Sequence, residues 1–534
     1  MDALQQISQE TIELTKTLFQ KTDQGLEKAI TTSTGLYGYS LEQPAKRLYP
    51  VLSPLRNRIS RQKAPIGAPL TNWKAITGIN TTNVRAAVSF GTRNTATITY
   101  GRSDRSATFK TIGLEDTVQD ESVWYGRGFE DVRALSSLST LQSLMIEEEK
   151  LILGGLSDAM TLGTTPTPTV AKAATGGLNH AANFYVKVVA LSLYGYLNST
   201  LNDYADATGR IYDHGIYSAT ATVGSCSATD TVFARLAAPT GGAFAWAWFV
   251  ATHASAEPAS LKLYAITTIP SVRITDISKD IRGGTLSSNI GSDKTSPASQ
   301  NFSTDTSGDA NAFDGLFPQV LPPYATLTTL GTYPSGTLKK VTGSQSTQYV
   351  TSAIVYDMAP GDDFQGTGLT ADNAGGIVEF DLVLKALWDH ARIGPSLVLV
   401  NSQEAGNITR KIGGSTGLGF RIQASQGDKG IVGGIYVAAY LNKYSSSLTP
   451  GSPDQVPLMM HPFLPPGTIL FLSENLPYPD NNVPRVLEIE TQQEYADFEW
   501  ARTQRQYEHG VYANQVLKHY FPAGCAVIRG LKDA

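Results

Sequence analysis

The residue pattern with the most obvious chemistry is Gly413-Gly414-Ser415-Thr416-Gly417, a Gly-x-Ser-x-Gly match of the kind that presents a nucleophilic serine on a sharp turn. That chemistry needs a strand before the turn and a helix after it. Here the preceding residues have a helical pattern and the following ones are glycine-rich, so a loop is expected. Asp309-Ala310-Asn311-Ala312-Phe313-Asp314-Gly315 loosely resembles a calcium loop, but Phe313 stands where an oxygen ligand belongs and no glutamate closes it, so it reads as a turn. The seven histidines, His180, His214, His253, His390, His461, His509 and His519, form no metal-ligating pair at helical spacing. Asp362 and Asp363 sit among glycines and read as a solvated loop. There is no phosphate-cradling loop, no dinucleotide fingerprint and no basic-aromatic interleaving suited to base stacking. The sequence therefore predicts no catalytic residue, no metal site and no cofactor.

What remains is charge. Between Pro44 and Ser103 there is no Asp or Glu, while Lys46, Arg47, Arg56, Arg58, Arg61, Lys63, Lys74, Arg85, Arg93 and Arg102 are basic. The sign then reverses through Glu115, Asp116, Asp120, Glu121, Glu130 and Asp131 to the run Glu147-Glu148-Glu149. A basic arm serves either to bind phosphate or to meet an acidic surface on another copy of the chain. A net charge of -5, a pI of about 5.9 and the nearby acidic block favour the second, because complementary charge fixes register and partner choice. The predicted contacts between copies are Arg47, Arg56, Arg58, Arg61, Lys63, Arg93 and Arg102 on one side and Glu147, Glu148 and Glu149 on the other.

The elements that position these charges follow from periodicity. With 534 residues, two to four domains are expected. Leu4, Ile7, Leu14 and Leu18 predict an amphipathic N-terminal helix that needs a partner surface. After Gly35 come Pro44, Pro50, Pro54, Pro65 and Pro69, which predict an extended arm. Short runs at Val84–Phe90, Thr95–Tyr100, Ala107–Ile112 and Ser122–Tyr125 predict long hairpin strands with little core of their own. Val132, Leu135, Leu138, Leu141, Met145 and Ile152 predict a helix over Asp131–Leu153, ended by Gly154-Gly155 and spanning roughly 34 Å. A Thr-Pro run at 164–169 opens a region of short strands to about 278, including Phe184–Ala190, Val232–Leu236, Phe244–Val250, Leu261–Ile266 and Ser271–Ile277. These predict a β-sandwich.

Residues 283–312 read as a loop or linker. Beyond 375 the pattern is α/β, with a helix at Ile377–Ile393, a buried strand at Ser396–Val400, a short helix at Ala405–Ile412 and strands at Ile431–Leu441 and Thr468–Leu472. From Val486 to Leu531 it is mostly strand. Cys226 and Cys525 are too few and too far apart for a disulfide framework or zinc site, so reduced thiols are expected. No signal peptide or membrane-length apolar window is expected, and the Asn-x-Ser/Thr matches at Asn80, Asn198, Asn301 and Asn407 carry no chemical meaning in that setting.

The order of helix, arm, hairpin, long helix, α/β middle and strand-rich end resembles the major capsid proteins of tailed bacteriophages, which share the Hong Kong 97-type fold. Local stretches carry the resemblance: Pro50–Arg56, Glu147–Gly155, Phe313–Phe317 and Phe521–Ile528. It implies an α+β fold with an N-terminal helix and arm at 1–65, an extended loop at 66–127, and a spine helix with part of a peripheral domain at 128–165. More of the peripheral domain is implied at 279–374, an axial domain at 375–485 and the closing peripheral strands at 486–534. The sandwich at 166–278 departs from that plan and is expected to be an insertion; Tyr185–Gly195 resembles a fibronectin type III or immunoglobulin-like module. The resemblance further implies hexamers and pentamers of identical subunits forming an icosahedral shell around double-stranded DNA. Portal, scaffold or decoration proteins are implied as partners, with no membrane. The shell would be a virion component assembled in the host bacterial cytoplasm. Two alternatives stand beside it: an encapsulin-like compartment with the same fold, and an adhesive or glycan-binding protein suited to a fibronectin-like module.

Overall fold

The computed structural model describes residues 45–64, 67, 69–80, 86–94, 97–127, 129–176, 178, 183–199, 211–253, 261–275, 302–342, 352–362, 364–413, 437–444, 454–478 and 481–532, and the account that follows concerns these. The expected N-terminal helix, the Ser415 turn, the linker before residue 302 and the first part of the strand expected at 431 lie outside them.

The arm carries a one-turn helix, α1 (Pro54–Arg58), begun by a proline whose missing N–H costs nothing at that position, and then β1 (Ser60–Lys63). The hairpin follows as β2 (Leu70–Asn80) and β3 (Thr99–Thr108), with a register shift between Ile76 and Gly78. This places the first hairpin strand upstream of the expected Val84–Phe90, whose described residues 86–90 are not strand. β4 (Lys110–Gln119) leads into α2 (Asp120–Tyr125), so Ser122–Tyr125 is helical where a strand was expected. A four-residue apolar run is ambiguous by itself, and Asp120 and Glu121 at the first turn favour a helix.

The long helix α3 (Val132–Gly154) begins on Asp131, whose carboxylate accepts from the Arg133 and Ala134 amides. Its buried row differs from the expected one. Ser136, Thr140, Leu144, Glu148 and Ile152, spaced by four, face the interior, while Leu138 is exposed and Leu135 and Met145 are half-buried. Gly155 after it is tight: a side chain there would meet the Phe313 carbonyl at 2.5 Å.

Next come β5 (Thr169–Ala173), β6 (Asn183–Leu191), α4 (Leu193–Asn198), β7 (Ala221–Val223), β8 (Thr231–Arg235), β9 (Ala245–His253), β10 (Lys262–Thr267) and β11 (Ser271–Ile274). They form a four-stranded sheet, β10-β9-β6-β7, and a three-stranded sheet, β11-β8-β5. Alternation along β9 sends Trp246, Trp248 and Val250 into a cluster shared with Val232, Ala234, Val272 and Ile274 of the other sheet. Ala245, Ala247 and Phe249 face a second cluster containing Phe302. Both faces of β9 are thus apolar and covered. The unit is fused to the rest of the chain: Phe244 packs on Phe317 at 4.3 Å, and Arg529 donates to the Thr240 carbonyl at 3.2 Å.

The remainder comprises α5 (Leu316–Val320), β12 (Thr326–Tyr333), β13 (Gly336–Thr342), β14 (Ile354–Met358), α6 (Val378–Ala391), β15 (Leu397–Val400), α7 (Ser402–Gly413), β16 (Ala439–Leu441), β17 (Gln455–Met460), β18 (Thr468–Leu472), β19 (Leu487–Glu499), β20 (Gln506–His519) and β21 (Ala526–Arg529). Eight strands form one mixed sheet, β12-β13-β14-β21-β18-β15-β17-β16. α6 lays Phe380, Val383, Leu384 and Leu387 against it. This sheet crosses the domain boundaries expected at 374/375 and 485/486, because β14 and β18 both pair with β21 at the end of the chain. A second sheet, β1-β19-β20-β4, has α3 packed on it, so the arm supplies one edge strand and the segment after the hairpin the other. The chain is mixed α+β.

Candidate assembly interface

Two features of the basic stretch stand out. The first is the seat of the arm on α3. Glu148 and Glu149 lie on the inward face of that helix and have no solvent exposure. Each carboxylate is surrounded by donors. Glu148 accepts from Arg56 Nε at 2.6 Å, from Gln515 Nε2 at 2.6 Å, and from Arg61 and the Tyr495 hydroxyl. Glu149 accepts from the Leu55 and Arg56 amides at 2.8 and 2.7 Å, the open N-terminus of α1. It also accepts from His461 Nε2 at 2.7 Å; the Phe463 amide donates to Nδ1 of that ring, which leaves the ring proton on Nε2. Burial alone pushes the Glu148 carboxyl up. The Arg61 charge, with hydrogen bonds from Tyr495, Gln515 and Arg56, more than offsets this and holds it below the usual carboxylate range.

The second feature is the β2–β3 hairpin. Its eleven-residue first strand reaches roughly 36 Å, and among the described residues the two strands pair with no third. Its root is fixed. Arg105 is buried and donates to the Tyr520 carbonyl at 3.0 Å, and Trp73 meets Tyr520 edge-on at 5.9 Å with the Lys518 ammonium 5.1 Å from its ring. Beyond the root the side chains are uncovered: Ile76, Ile79, Val88, Ile98 and Tyr100 are exposed, and Phe90 is fully so.

The far end of the β19–β20 sheet contrasts with it in sign. Glu115 and Asp116 on β4 and Glu494 and Asp497 on β19 are exposed, beside the exposed aromatic rings of Phe498 and Trp500. Arg133 and Arg502 both stack on the Tyr507 ring, at 3.7 and 3.4 Å from its centroid, and pair with Glu499 and Asp120.

The residues predicted to meet across copies divide into two groups. Arg56 and Arg61 reach Glu148 of their own chain, Arg58 forks onto Glu474, Arg47 reaches Glu130 at 3.4 Å, and Glu147 pairs with Lys150 at 2.6 Å. The arm runs alongside α3 from Glu130, just before the helix, to Glu149, which brings Arg56 and Arg61 onto Glu148 of that helix. Lys63, Arg93 and Arg102 are exposed and enter no ion pair among the described residues. Tyr495, Gln515, His461 and Glu474 were not anticipated, since nothing local ties them to the arm. The four-residue spacing of Glu148 from Leu144 and Ile152 was a readable sign that a carboxylate faces the interior and requires donors there.

No protein-family profile matches the chain, and no curated protein sequence matches it. Solved structures similar to it include the capsid of an empty GTA particle, at 6% identity over 93% of this chain and 95% of that one, with a TM-score of 0.37. The capsid of Myoviridae phage XM1 is similar at 8% identity over 94% and 100%, with a TM-score of 0.36. Mycobacterium phage Ogopogo is similar at 8% identity over 92% and 96%, with a TM-score of 0.33.

Proposed function

We propose that this chain is the major capsid protein of a tailed bacteriophage, with the Hong Kong 97-type fold, and that copies of it close into an icosahedral shell of hexamers and pentamers around double-stranded DNA. The observation that carries the reading is the hairpin. It is anchored at its root by a buried arginine, yet it leaves apolar and basic side chains uncovered along a reach that no other described strand supports. Such a ribbon is costly to expose and marginal by itself, so it belongs against another molecule. The acidic and aromatic far end of the β19–β20 sheet has the complementary chemistry, which favours a second copy of the same chain. Lys63, Arg93 and Arg102 then act between copies.

On this reading residues 1–65 are the N-terminal arm, 66–127 the extended loop, and α3 the spine helix of a peripheral region completed by β19 and β20. The eight-stranded sheet is the centre of the axial region, which takes in β12–β14 and β21 as well as 375–485. The two-sheet unit at 166–278 is an immunoglobulin-like insertion. With β5 as strand B, β6 as C, β7 as C′, β8 as E, β9 as F and β10 as G, its neighbour relations are those of that sandwich, and β11 lies beside E. The chain works as a structural protein of the virion, assembled in the bacterial cytoplasm alongside portal, scaffold or decoration proteins.

Negative-stain microscopy of the purified full chain tests the proposal. Closed shells of uniform size are expected, and nuclease-protected DNA within those recovered from infected cells. A monodisperse monomer under every assembly condition, with the hairpin protected from proteases, overturns it.

A further inference from the structure

The seat of the arm has a property that follows from its donors. Two adjacent glutamates, both without solvent exposure, are satisfied largely by one short element, an arm of one helical turn and one short edge strand. If the arm lifts, Glu148 keeps Tyr495 and Gln515 but loses both guanidinium groups, and Glu149 keeps His461 but loses both amides. Ionised carboxylates left with half their donors and no counter-charge are poorly tolerated in such a place. A proton resolves the conflict, because the acid form needs fewer donors and has acceptors at hand in the Tyr495 hydroxyl and the Gln515 amide oxygen that Arg61 vacates.

We propose that Glu148 is a proton-linked latch for the arm: with its carboxylate ionised, residues 53–63 are seated on the long helix, and proton uptake by Glu148 releases them. The covalent structure does not change; the proton comes from water, adds to a carboxylate oxygen, and the arginine heads return to solvent. The groups facing the pair are Arg56 and Arg61 from the arm, Tyr495 from β19, Gln515 from β20 and His461 after β17, with Glu147 and Lys150 paired beside them on the helix. The sign is fixed by the Arg61 and Arg56 charges, which hold the Glu148 carboxyl low while the arm is seated. Seating is therefore favoured above the ordinary carboxylate range and lost as pH falls through the lowered value. The seat on Glu149 joins three bodies: the arm, the long helix and, through His461, the eight-stranded sheet. Release thus frees the helix from the arm while His461 still ties it to the sheet.

The latch is a property of the single chain and does not depend on the shell reading, so it is tested separately from assembly. Amide exchange of the full chain, read by mass spectrometry and corrected for the chemical rate at each pH, follows the Leu55 and Arg56 amides. In the natural chain their protection is expected to fall on acidification by about tenfold per pH unit for each proton taken up. Glu148→Gln imitates the protonated form and is expected to lose arm protection already at neutral pH, with β20 still protected and little further change on acidification. Arm protection that ignores pH, or that survives Glu148→Gln, overturns the latch. Should Glu148→Gln fail to fold, Arg61→Gln decides: release is expected to begin at higher pH, and an unmoved midpoint overturns the proposal. Particle size measured on the same samples reports assembly separately.

Discussion

The arm and all of the hairpin up to Ser103 come from one acid-free stretch of sequence, yet they end in opposite physical states. The arm's arginines are gathered onto buried carboxylates of the neighbouring helix, and its short strand is absorbed as the edge of a sheet. The hairpin keeps Arg93 and Arg102 in solvent, and its isoleucines are uncovered. Composition does not distinguish them. The difference lies in where the next acids fall: the segment from Glu130 through α3 runs alongside the arm and brings Glu130, Glu148 and Glu149 to it in order, whereas on the hairpin only Asp104, across from Lys74, follows within the ribbon, and Arg93 and Arg102 enter no ion pair among the described residues. A basic segment beside its own counter-charge becomes structure; one carried beyond it becomes a surface for something else.

The comparison breaks most directly at Glu148. Removing one partner from a buried charge cluster leaves the others uncompensated, so Glu148→Ala is expected to destabilise the chain by about 3–5 kcal/mol. The check is the midpoint of denaturant unfolding at constant slope. A loss below about 1 kcal/mol, the range of exposed pairs, would mean that the arm is seated no more firmly than a surface salt bridge.

This seat was partly legible. Charge segregation marked Arg56, Arg58, Arg61 and Glu147–Glu149 as belonging together, and helical spacing of Glu148 with Leu144 and Ile152 marks an interior position. The identity of the chain in which they meet was not legible, because it depends on the path of the arm along α3. The helix itself was readable from its leucine spacing and Gly154-Gly155, although its covered row proved more polar than the leucines suggest. The first hairpin strand lies upstream of the expected 84–90, at β2 (Leu70–Asn80), since its apolar residues Trp73, Ile76 and Ile79 fall three apart among Thr, Asn, Lys and Gly and show no period of two. β1 could not be read at all. Ser60-Arg61-Gln62-Lys63 has no strand character of its own, and its parallel pairing with Glu488–Thr491 spans most of the chain.

The hairpin's root sharpens the contrast, for there the ribbon does behave like the arm. Trp73 is half-buried against Tyr520 and the Lys518 ammonium, so Trp73→Ala is expected to cost about 1–3 kcal/mol. Calorimetric melting measures it. An unchanged melting temperature would show that the root is as loosely held as the tip.

Acid should act on the arm and spare the hairpin. Glu148 and Asp357 are both held below the usual carboxylate range; for Asp357, burial pushes upward and Arg529, at 2.5 Å, with Lys339 more than offsets it. Groups so lowered contribute stability above their unfolded values of about 4, and that contribution is lost as pH falls through the folded values. Unfolding free energy measured at pH 7 and again below about pH 4 is expected to decline, with the decline reduced in Glu148→Gln. Equal declines in both proteins would remove Glu148 from the account.

The smallest expected effect on the fold falls at the hairpin's outer half. Ile76, Ile79 and Phe90 are exposed in the single chain, so replacing all three with serine removes almost no buried apolar surface and should alter unfolding free energy by less than about 0.5 kcal/mol per site. The same surface is what the shell reading requires another copy to cover. Light scattering of the triple variant should therefore show a large loss of assembled particles beside an almost unchanged melting curve. The two regions would then differ as their environments imply, one arginine-rich segment holding a chain together and the other holding chains to each other. If the variant assembles normally, the uncovered isoleucines are incidental and association must run through the acidic, aromatic end of the β19–β20 sheet alone. If it loses stability instead, the hairpin is part of the chain's own core, and the contrast with the arm disappears.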